Sequence, residues 1–342
     1  SCDHGGEYRM LEFLKMSTTE KNDTYRIVSE EKKINEAIIE KDYWVVLMLY
    51  LLFTESKFKK FFAFKGGTSL SKSYHKIQRF SEDIDLILDW RVLGYKKEEP
   101  WEHRSKTGQR KFNDEANEKA AQWISNQLIP ELNRLFETLN IKNMRLTISE
   151  RDPQTIQVFY PNDFNDTSIL QEIRLEIGPL AAWTPITNKE VSAYLVEEFP
   201  HLFHKKTVTV PTVEAKRTFW EKVTILHKEA HRISTTTPAR YSRHYYDIYQ
   251  LALSEVKIQA LDDLNLLTHV VNFKTKFYAD NSAKYEDAVP GKIKLLPNEY
   301  QIDNLEKDYQ LMENMIFGDY PSFNLILAKL KELEIEINGC LN

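Results

Sequence analysis

Apolar and polar residues alternate along the chain in a way that separates a strand-rich first part from a helical second part. Short apolar or alternating segments predict strands at residues 61–64, 83–88, 145–149, 155–160 and 172–177. Longer segments with an apolar face predict helices at 17–60, 68–78, 114–139, 214–232, 240–256, 261–277 and 303–338. Strands followed by helices predict an α+β fold, a mixed sheet with flanking helices plus a C-terminal helical domain.

Three segments follow from this pattern. We expect an N-terminal extension and helix over residues 1–34, a core over 35–205, and a mainly helical domain over 206–342. Residues 91–111 interrupt the core with seven Lys or Arg against three Glu, and with the aromatic residues Tyr95 and Trp101 between them. This stretch predicts a basic loop or insertion.

The charge of the whole chain limits what it binds. Lys and Arg total 46 against 51 Asp and Glu, which gives a net charge of −5. The chain is therefore not a globally basic nucleic-acid binder, and any site for a polyanion must be a local patch. Residues 91–111 and the basic stretch 216–243 offer two such patches. They suit either an RNA track or an ordinary solvated surface.

Cysteine, histidine and apolar content exclude several classes of protein. Cys2 and Cys340 are the two cysteines, so neither a disulfide framework nor a cysteine zinc site is predicted, and we expect a cytoplasmic protein. His227 and His231 have a spacing that can bind zinc, but a polar helix face is favoured. The most apolar run, 43–53, is about half the length that crosses a bilayer, so a buried helix is expected instead of a membrane anchor.

The stretch 64–88, FKGGTSLSKSYHKIQRFSEDIDLIL, holds the candidate chemistry. A predicted strand ends at Gly66-Gly67, where backbone approaches a ligand with no side chain between. The helix that begins there has unsatisfied N–H groups, which suit a phosphate. Thr68 and Ser69 add hydroxyl donors, and Lys65 adds a cation.

Two carboxylates follow one helix later. Asp83 and Asp85 project from one face of a predicted strand, about 7 Å apart by strand rise. Such a pair brackets divalent cations, and Mg²⁺ prefers hard oxygen ligands that it shares with substrate phosphates. A phosphate cradle beside a carboxylate pair is typical of metal-assisted phosphoryl or nucleotidyl transfer. Taken singly, either feature also suits an ordinary turn or a solvated strand.

The combination resembles a known family. Gly66-Gly67 followed by Asp83-Ile-Asp85 is similar to the signature of the DNA polymerase β-like nucleotidyltransferase superfamily. The fuller text GGTSL…Y…RFSEDIDL resembles the AbiEii/AbiGii toxins of bacterial abortive-infection and toxin–antitoxin pairs. Residues 219–232 and 243–249 resemble the family's lysine and final aspartate motifs. One departure is that fifteen residues separate Gly67 from Asp83, more than the usual spacing of the superfamily.

The resemblance implies a nucleotidyltransferase fold and a metal site within it. Asp83 and Asp85 would be metal ligands, and Glu176 would be the third carboxylate from a neighbouring strand. Glu176 would also help to deprotonate the attacking hydroxyl. Glu172, on the same predicted face, is its rival.

The resemblance also implies how the nucleotide is held. Lys65, Gly66, Gly67, Thr68 and Ser69 would hold the outer phosphates. Lys222 would contact the triphosphate as a compact point charge. Arg79 would order the loop before Asp83 or pair with that residue. Asp247 would be important by orienting Lys222 or Arg243.

The function implied is that of a Mg²⁺-dependent toxin of a toxin–antitoxin or abortive-infection system. It would transfer NMP from an NTP to an acceptor and release pyrophosphate, with the tRNA 3′ end as the preferred acceptor. Its partners would be the NTP, tRNA or another RNA, and an antitoxin encoded nearby that acts without a stable complex. Two alternatives stay open: a catalytically inactive nucleotide- or RNA-binding protein of the same fold, and transfer to a protein or small molecule.

Overall fold

Two compact units make up the chain. The computed structural model describes residues 7–182, 184–201 and 207–340. The first unit comprises residues 1–73 and 80–212, and the second comprises 74–79 and 213–342. Six of the fifteen residues between Gly67 and Asp83 thus belong to the second unit, which accounts for the long spacing there. The predicted three-segment division stays a prediction.

A seven-stranded mixed sheet forms the centre of the first unit. Its strands are β1 Phe62–Lys65, β2 Asp83–Leu88, β3 Arg145–Ile148, β4 Thr155–Phe159, β5 Ile173–Gly178, β6 Ile186–Val191 and β7 Val208–Val213. Their order across the sheet is β3-β4-β5-β2-β1-β7-β6. β2 runs parallel to β5 and antiparallel to β1. The prediction of an α+β fold with a mixed sheet is confirmed.

The five predicted strands are present, and two strands were missed. β6 has mostly exposed or half-exposed residues at the edge of the sheet, so it lacks the apolar alternation that marks a strand. β7 contains Pro211, which reads as a break because proline cannot donate to a strand ladder. Neither strand was predicted, because β6 lacks the alternation and Pro211 interrupts that of β7.

Helices flank this sheet. In the described part of the first unit they are α1 Glu7–Glu12, α2 Thr18–Lys32, α3 Glu36–Tyr50, α4 Gly66–Lys72, α5 Lys106–Trp123, α6 Ile129–Thr138 and α7 Tyr194–Glu198. A π-helical turn, Ile124–Leu128, joins α5 to α6. The predicted helix over 114–139 is thus present, but it begins at Lys106 because Ser105 caps the N–H of Gly108. The predicted loop over 91–111 is therefore wrong for residues 106–111, which belong to α5.

Charged residues at the start of α3 are buried. Lys41 and Asp42 of α3 are both fully enclosed. Asp42 Oδ1 forms an ion pair with Lys72 Nζ at 2.8 Å, and Lys41 Nζ lies 3.8 Å from Glu82 Oε1. Buried charges need such partners, since an unpaired one costs several kcal/mol.

Helices make up most of the second unit. In its described part they are α8 Ala215–Ala230, α9 Arg243–Ala252, α10 Glu255–Leu261, α11 Leu264–Phe277, α12 Glu299–Leu311 and α13 Phe323–Asn338. α8 packs against α9, α10 and α11. Its Trp220 is fully buried and donates to the carbonyl of Ala260. Among the helices described in either unit, none has both the length and the apolar character of a membrane span.

Segment 74–79 is bound within the second unit by backbone and side-chain contacts. Gln78 accepts a backbone hydrogen bond from Phe317 and donates its own N–H to the hydroxyl of Tyr246. Arg79 forms a short antiparallel bridge with Ile316. The predicted helix over 68–78 therefore ends at Lys72, because the residues after it are paired elsewhere.

Candidate active site

One row of polar residues crosses the sheet of the first unit. Strand register places Lys65 of β1 opposite Asp85 of β2, Asp85 opposite Glu176 of β5, and Glu176 opposite Thr155 of β4. Directly paired residues project from the same face of a sheet. The register therefore brings a cation and two candidate carboxylates side by side.

The other two candidate carboxylates lie one row away or at the strand start. Asp83 pairs in register with Arg174. Glu172, the rival third carboxylate, accepts from Arg174 Nε at 3.2 Å and from Gln157 Nε2 at 3.0 Å. Glu172 is thus bonded to neighbouring residues of the sheet, and Glu176 stands directly opposite Asp85 in register.

Gly66 lies against the Asp85 carboxylate. Its φ of +81° is the left-handed region that favours glycine. A Cβ placed on Gly66 would stand 2.2 Å from Asp85 Oδ2, far inside van der Waals contact. The first glycine of the Gly66-Gly67 pair is therefore required for the close approach of β2 to the start of α4.

The hydroxyls of Thr68 and Ser69 are used inside the fold. Both residues are buried. Thr68 Oγ1 donates to the carbonyl of Asp83, and Ser69 Oγ donates to the carbonyl of Gly66 at 2.6 Å. These hydroxyls position the two strand ends, so a phosphate here would depend on backbone N–H groups for its donors.

The acidic residues share a face but are not gathered around one point. Within 7–182, 184–201 and 207–340, no group of three His, Cys, Asp or Glu side chains is placed to hold a metal ion. Asp83, Asp85 and Glu176 nevertheless supply the hard oxygen donors that Mg²⁺ prefers. The donor chemistry fits a divalent cation, and binding one requires these side chains to turn toward each other.

A second polar cluster lies in the second unit around Asp247, which is fully buried. Arg79 donates to both of its oxygens at 2.7 Å. Lys222 Nζ lies 2.8 Å from Asp247 Oδ2 and 3.0 Å from His244 Nδ1. Asp247 therefore contacts Lys222, while Arg243 donates to the carbonyl of Arg240. His244 was not predicted, although it lies three residues before Asp247 in the aspartate motif.

The charge states of this cluster follow from its burial. Burial alone would raise the pKa of Asp247, but Arg79 and Lys222 outweigh it and lower that pKa to about 2. Burial, then Lys222 and Arg243, hold the pKa of His244 well below its usual range, so its ring is neutral. Burial also lowers the pKa of Lys222, with Asp247 opposing the shift.

One buried carboxylate thus faces two cations in this cluster. Lys222 donates to both Asp247 and a neutral His244, as an ammonium group does. Arg79 is bidentate on Asp247, so Arg79 and Lys222 share this one carboxylate.

Many cations of the two predicted basic patches are already engaged. Arg91 pairs with Asp89 at 2.6 Å, and Arg104 donates to backbone carbonyls and lies over Phe112. Tyr95 is buried, whereas Trp101 is 39% exposed. In the second patch, the pairs are Lys216–Asp263, Arg217–Glu221, Lys228–Asp280 and Arg232–Glu229. These pairs reduce the charge that either patch offers to an RNA backbone.

The histidine pair has a structural role. His227 is buried, not on a polar helix face, so that prediction is wrong for this residue. Its Nε2 lies 2.8 Å from the carbonyl of Lys284, and its Nδ1 accepts from the N–H of Lys294. Both ring nitrogens of His227 therefore form hydrogen bonds with backbone groups.

Of the two cysteines, Cys2 lies outside the described residues.

Comparisons with known proteins identify a family and one similar solved structure. A family model described as "Nucleotidyl transferase AbiEii toxin, Type IV TA system" matches residues 48–329. Among solved structures, the chain is similar to MenT4, a nucleotidyltransferase toxin from Mycobacterium tuberculosis. The two are 14% identical, the match covers 93% of this chain and 94% of that one, and the TM-score is 0.48. No curated protein sequence matches significantly.

Proposed function

The chain belongs to the AbiEii family, the nucleotidyltransferase toxins of type IV toxin–antitoxin systems, and we propose that its transfer site is the sheet face of Asp83, Asp85 and Glu176. The family implies an NTP substrate and a cognate antitoxin. The observation that supports the site is the register that aligns Lys65, Asp85 and Glu176 on adjacent strands. Gly66 has no side chain and lies directly against Asp85, so its backbone reaches the same point.

Each residue of the face has a chemical task in this proposal. Asp83, Asp85 and Glu176 would hold Mg²⁺, which when bound would offset the charge of the substrate phosphates. Glu176 accepts the proton of the acceptor hydroxyl as that oxygen attacks the α-phosphorus. Lys65 and the backbone at Gly66-Gly67 hold the outer phosphates, and pyrophosphate leaves from that side.

We assign the nucleotide-binding cation of the second unit to Lys222. The assignment follows the resemblance of residues 219–232 to the family's lysine motif, and Asp247 Oδ2 lies 2.8 Å from Lys222 Nζ. An ammonium group is a compact donor suited to a phosphate. Asp247 and His244 then act as positioning residues that hold the Lys222 ammonium group in place.

The acceptor in this proposal is the 3′ hydroxyl of tRNA. A terminal hydroxyl of a polyanion needs a cationic approach to an acidic centre, and such an approach exists beside Glu176 (below). The resemblance to the AbiEii toxins favours the same acceptor. Capping that end would block aminoacylation and so stop growth.

The experiment that tests the proposal uses each NTP in turn, labelled on the α-phosphorus, with the purified protein, Mg²⁺ and total bacterial tRNA. Asp83→Ala and a chelator serve as parallel reactions. Label that enters tRNA with the wild type in Mg²⁺, but not with Asp83→Ala or the chelator, supports the reaction and identifies the nucleotide. Label only in protein or small molecules refutes the tRNA acceptor. NTP binding without label anywhere favours the inactive binder.

Replacing Gly66 with alanine is expected to abolish most transfer. The new Cβ would meet Asp85 Oδ2 at 2.2 Å and force the carboxylate or the loop to move. Displacements of about 1 Å at a reacting centre cost about a hundredfold in rate. Gly94→Ala is the matched control, because Gly94 also has a positive φ of +97° but nothing within 4 Å of its Cβ position. Equal activity of the two variants would contradict the role of the close approach.

A further inference from the structure

A polar cavity adjoins Glu176 on the open face of the sheet. It has a volume of about 730 Å³, and all of its lining residues belong to the first unit. Glu176 lies at one end, and Arg145 with Phe159 lines the other. The cavity starts at the proposed transfer site, so whatever fills it lies next to the reacting hydroxyl.

Register shows how the cavity crosses the strands. Arg145 of β3 is opposite Phe159 of β4, while Gln157 of β4 is opposite Arg174 of β5. Neighbouring strands lie about 4.8 Å apart, so the path from β3 to Asp85 on β2 spans about 14 Å. This length suits the end of a flexible chain better than a single small molecule.

The far end holds a preorganised cation. The guanidinium of Arg145 lies 3.9 Å from the centre of the Phe159 ring, and Arg145 itself is exposed. Contact with the ring restricts the guanidinium, while the exposed side chain keeps part of the group open to solvent. A guanidinium plane in this setting stacks with an unpaired base and binds a phosphate.

A second cation lies midway. Arg174 has a side chain that is 40% exposed, and Glu172 holds its Nε at 3.2 Å. Arg174 is therefore fixed in place between Arg145 and the Asp83–Glu176 end. The cavity is also lined by Arg151, Glu150 and Asp152. Asp152 accepts from Thr155 and Gln154 in the β3–β4 turn, so its carboxylate is used locally.

We infer that this cavity binds the unpaired 3′-terminal nucleotides of the acceptor RNA, with Arg145 on Phe159 as the base-stacking platform and Arg174 as the phosphate contact. The inference rests on the proposed function and names the acceptor subsite of the same centre. The arginines are separated along the 14 Å path, as successive phosphates or bases require. A protein acceptor would not need a stacked guanidinium, and the outer phosphates of an NTP are assigned to Lys65 and the Gly66-Gly67 backbone.

The test compares Arg145→Ala, Phe159→Ala and Arg145→Lys with the wild type in steady-state transfer. Arg145→Ala is expected to raise the KM for tRNA about tenfold, the effect of losing one base stack or phosphate contact. The KM for the NTP stays within about twofold, since that substrate binds elsewhere. Arg145→Lys keeps the positive charge but loses the planar guanidinium group, so it is expected to restore only part of the affinity for tRNA.

Arg26→Ala is the matched control. Arg26 is 51% exposed in the same unit and lies over the ring of Phe164, but it does not line the cavity. Its loss is expected to leave both KM values unchanged. A tRNA KM for Arg145→Ala equal to that of Arg26→Ala would overturn the inference.

Direct binding separates this inference from the proposed reaction. A single-stranded CCA-ended RNA carrying a fluorophore reports affinity by anisotropy, with no transfer needed. We expect weaker binding by both Arg145→Ala and Arg174→Ala, and for Arg174→Ala the slope of log affinity against log salt falls by about 0.7 for the lost phosphate contact. If the wild type transfers nothing but this difference holds, the reaction is wrong and the subsite stands. If the wild type transfers and the difference is absent, the subsite is wrong.

Discussion

Asp85→Asn is expected to lower nucleotide transfer by at least about a hundredfold, in the range found when one charged group of a preorganised site is removed. Asp85 is the central member of the row between Lys65 and Glu176, and it closes against Gly66. Asparagine keeps its shape but not its charge. The effect is measured as the initial rate of label transfer from an α-labelled NTP.

The same substitution is not expected to destabilise the protein. Asp85 stands between Glu176 and Lys65 in register, so removing its charge relieves one repulsion and loses one attraction. Urea unfolding should therefore show a nearly unchanged free energy of unfolding. Asp114→Asn, an exposed residue on α5, is the control and should alter neither quantity. Activity close to wild type in Asp85→Asn would refute the assigned centre.

Asp247→Ala is expected to have the largest effect on stability, a loss of about 3–5 kcal/mol in the free energy of unfolding. The substitution leaves Arg79 and Lys222 buried with no carboxylate between them. Chemical denaturation measures the loss. Asp303→Ala on α12, an exposed position in the same unit, should cost almost nothing. A loss as small as that of the control would mean that the cluster does not stabilise the unit.

The contribution of Asp247 also depends on pH in a defined direction. Its pKa is about 2 in the folded protein, against about 3.9 in an unfolded chain. The depressed value means that the stabilisation is fully present above pH of about 4 and is lost as pH falls toward 2. The wild type should therefore lose roughly 2–3 kcal/mol over that interval from this group, and Asp247→Ala should lack that component.

Lys222→Met separates the catalytic from the structural role of the cluster. Without Lys222, Asp247 keeps its bidentate pair with Arg79, so the stability loss should be well below that of Asp247→Ala. Transfer should nevertheless fall, with a higher KM for the NTP. If Lys222→Met is as unstable as Asp247→Ala and binds NTP normally, the lysine is structural only.

Local patterns predicted the parts of the site that lie close together in sequence. The alternation of residues 83–88 predicted the exact bounds of β2. It also predicted that Asp83 and Asp85 lie on one face of this strand. The pairing of Asp85 with Glu176 connects residues far apart in the chain, and no local pattern specifies such a register. The partners of Lys41 and Asp42 are likewise distant along the chain, so no local pattern predicts these buried ion pairs.

The contribution of residues 74–79 to the second unit constrains how this toxin can evolve. Because this unit is assembled from two separate stretches of the gene, it cannot be exchanged as a single cassette. A recombination at residue 212 that brought in an unrelated C-terminal half would leave Arg79 without Asp247, its bidentate partner. The nucleotidyltransferase core and its helical companion are therefore expected to be inherited together.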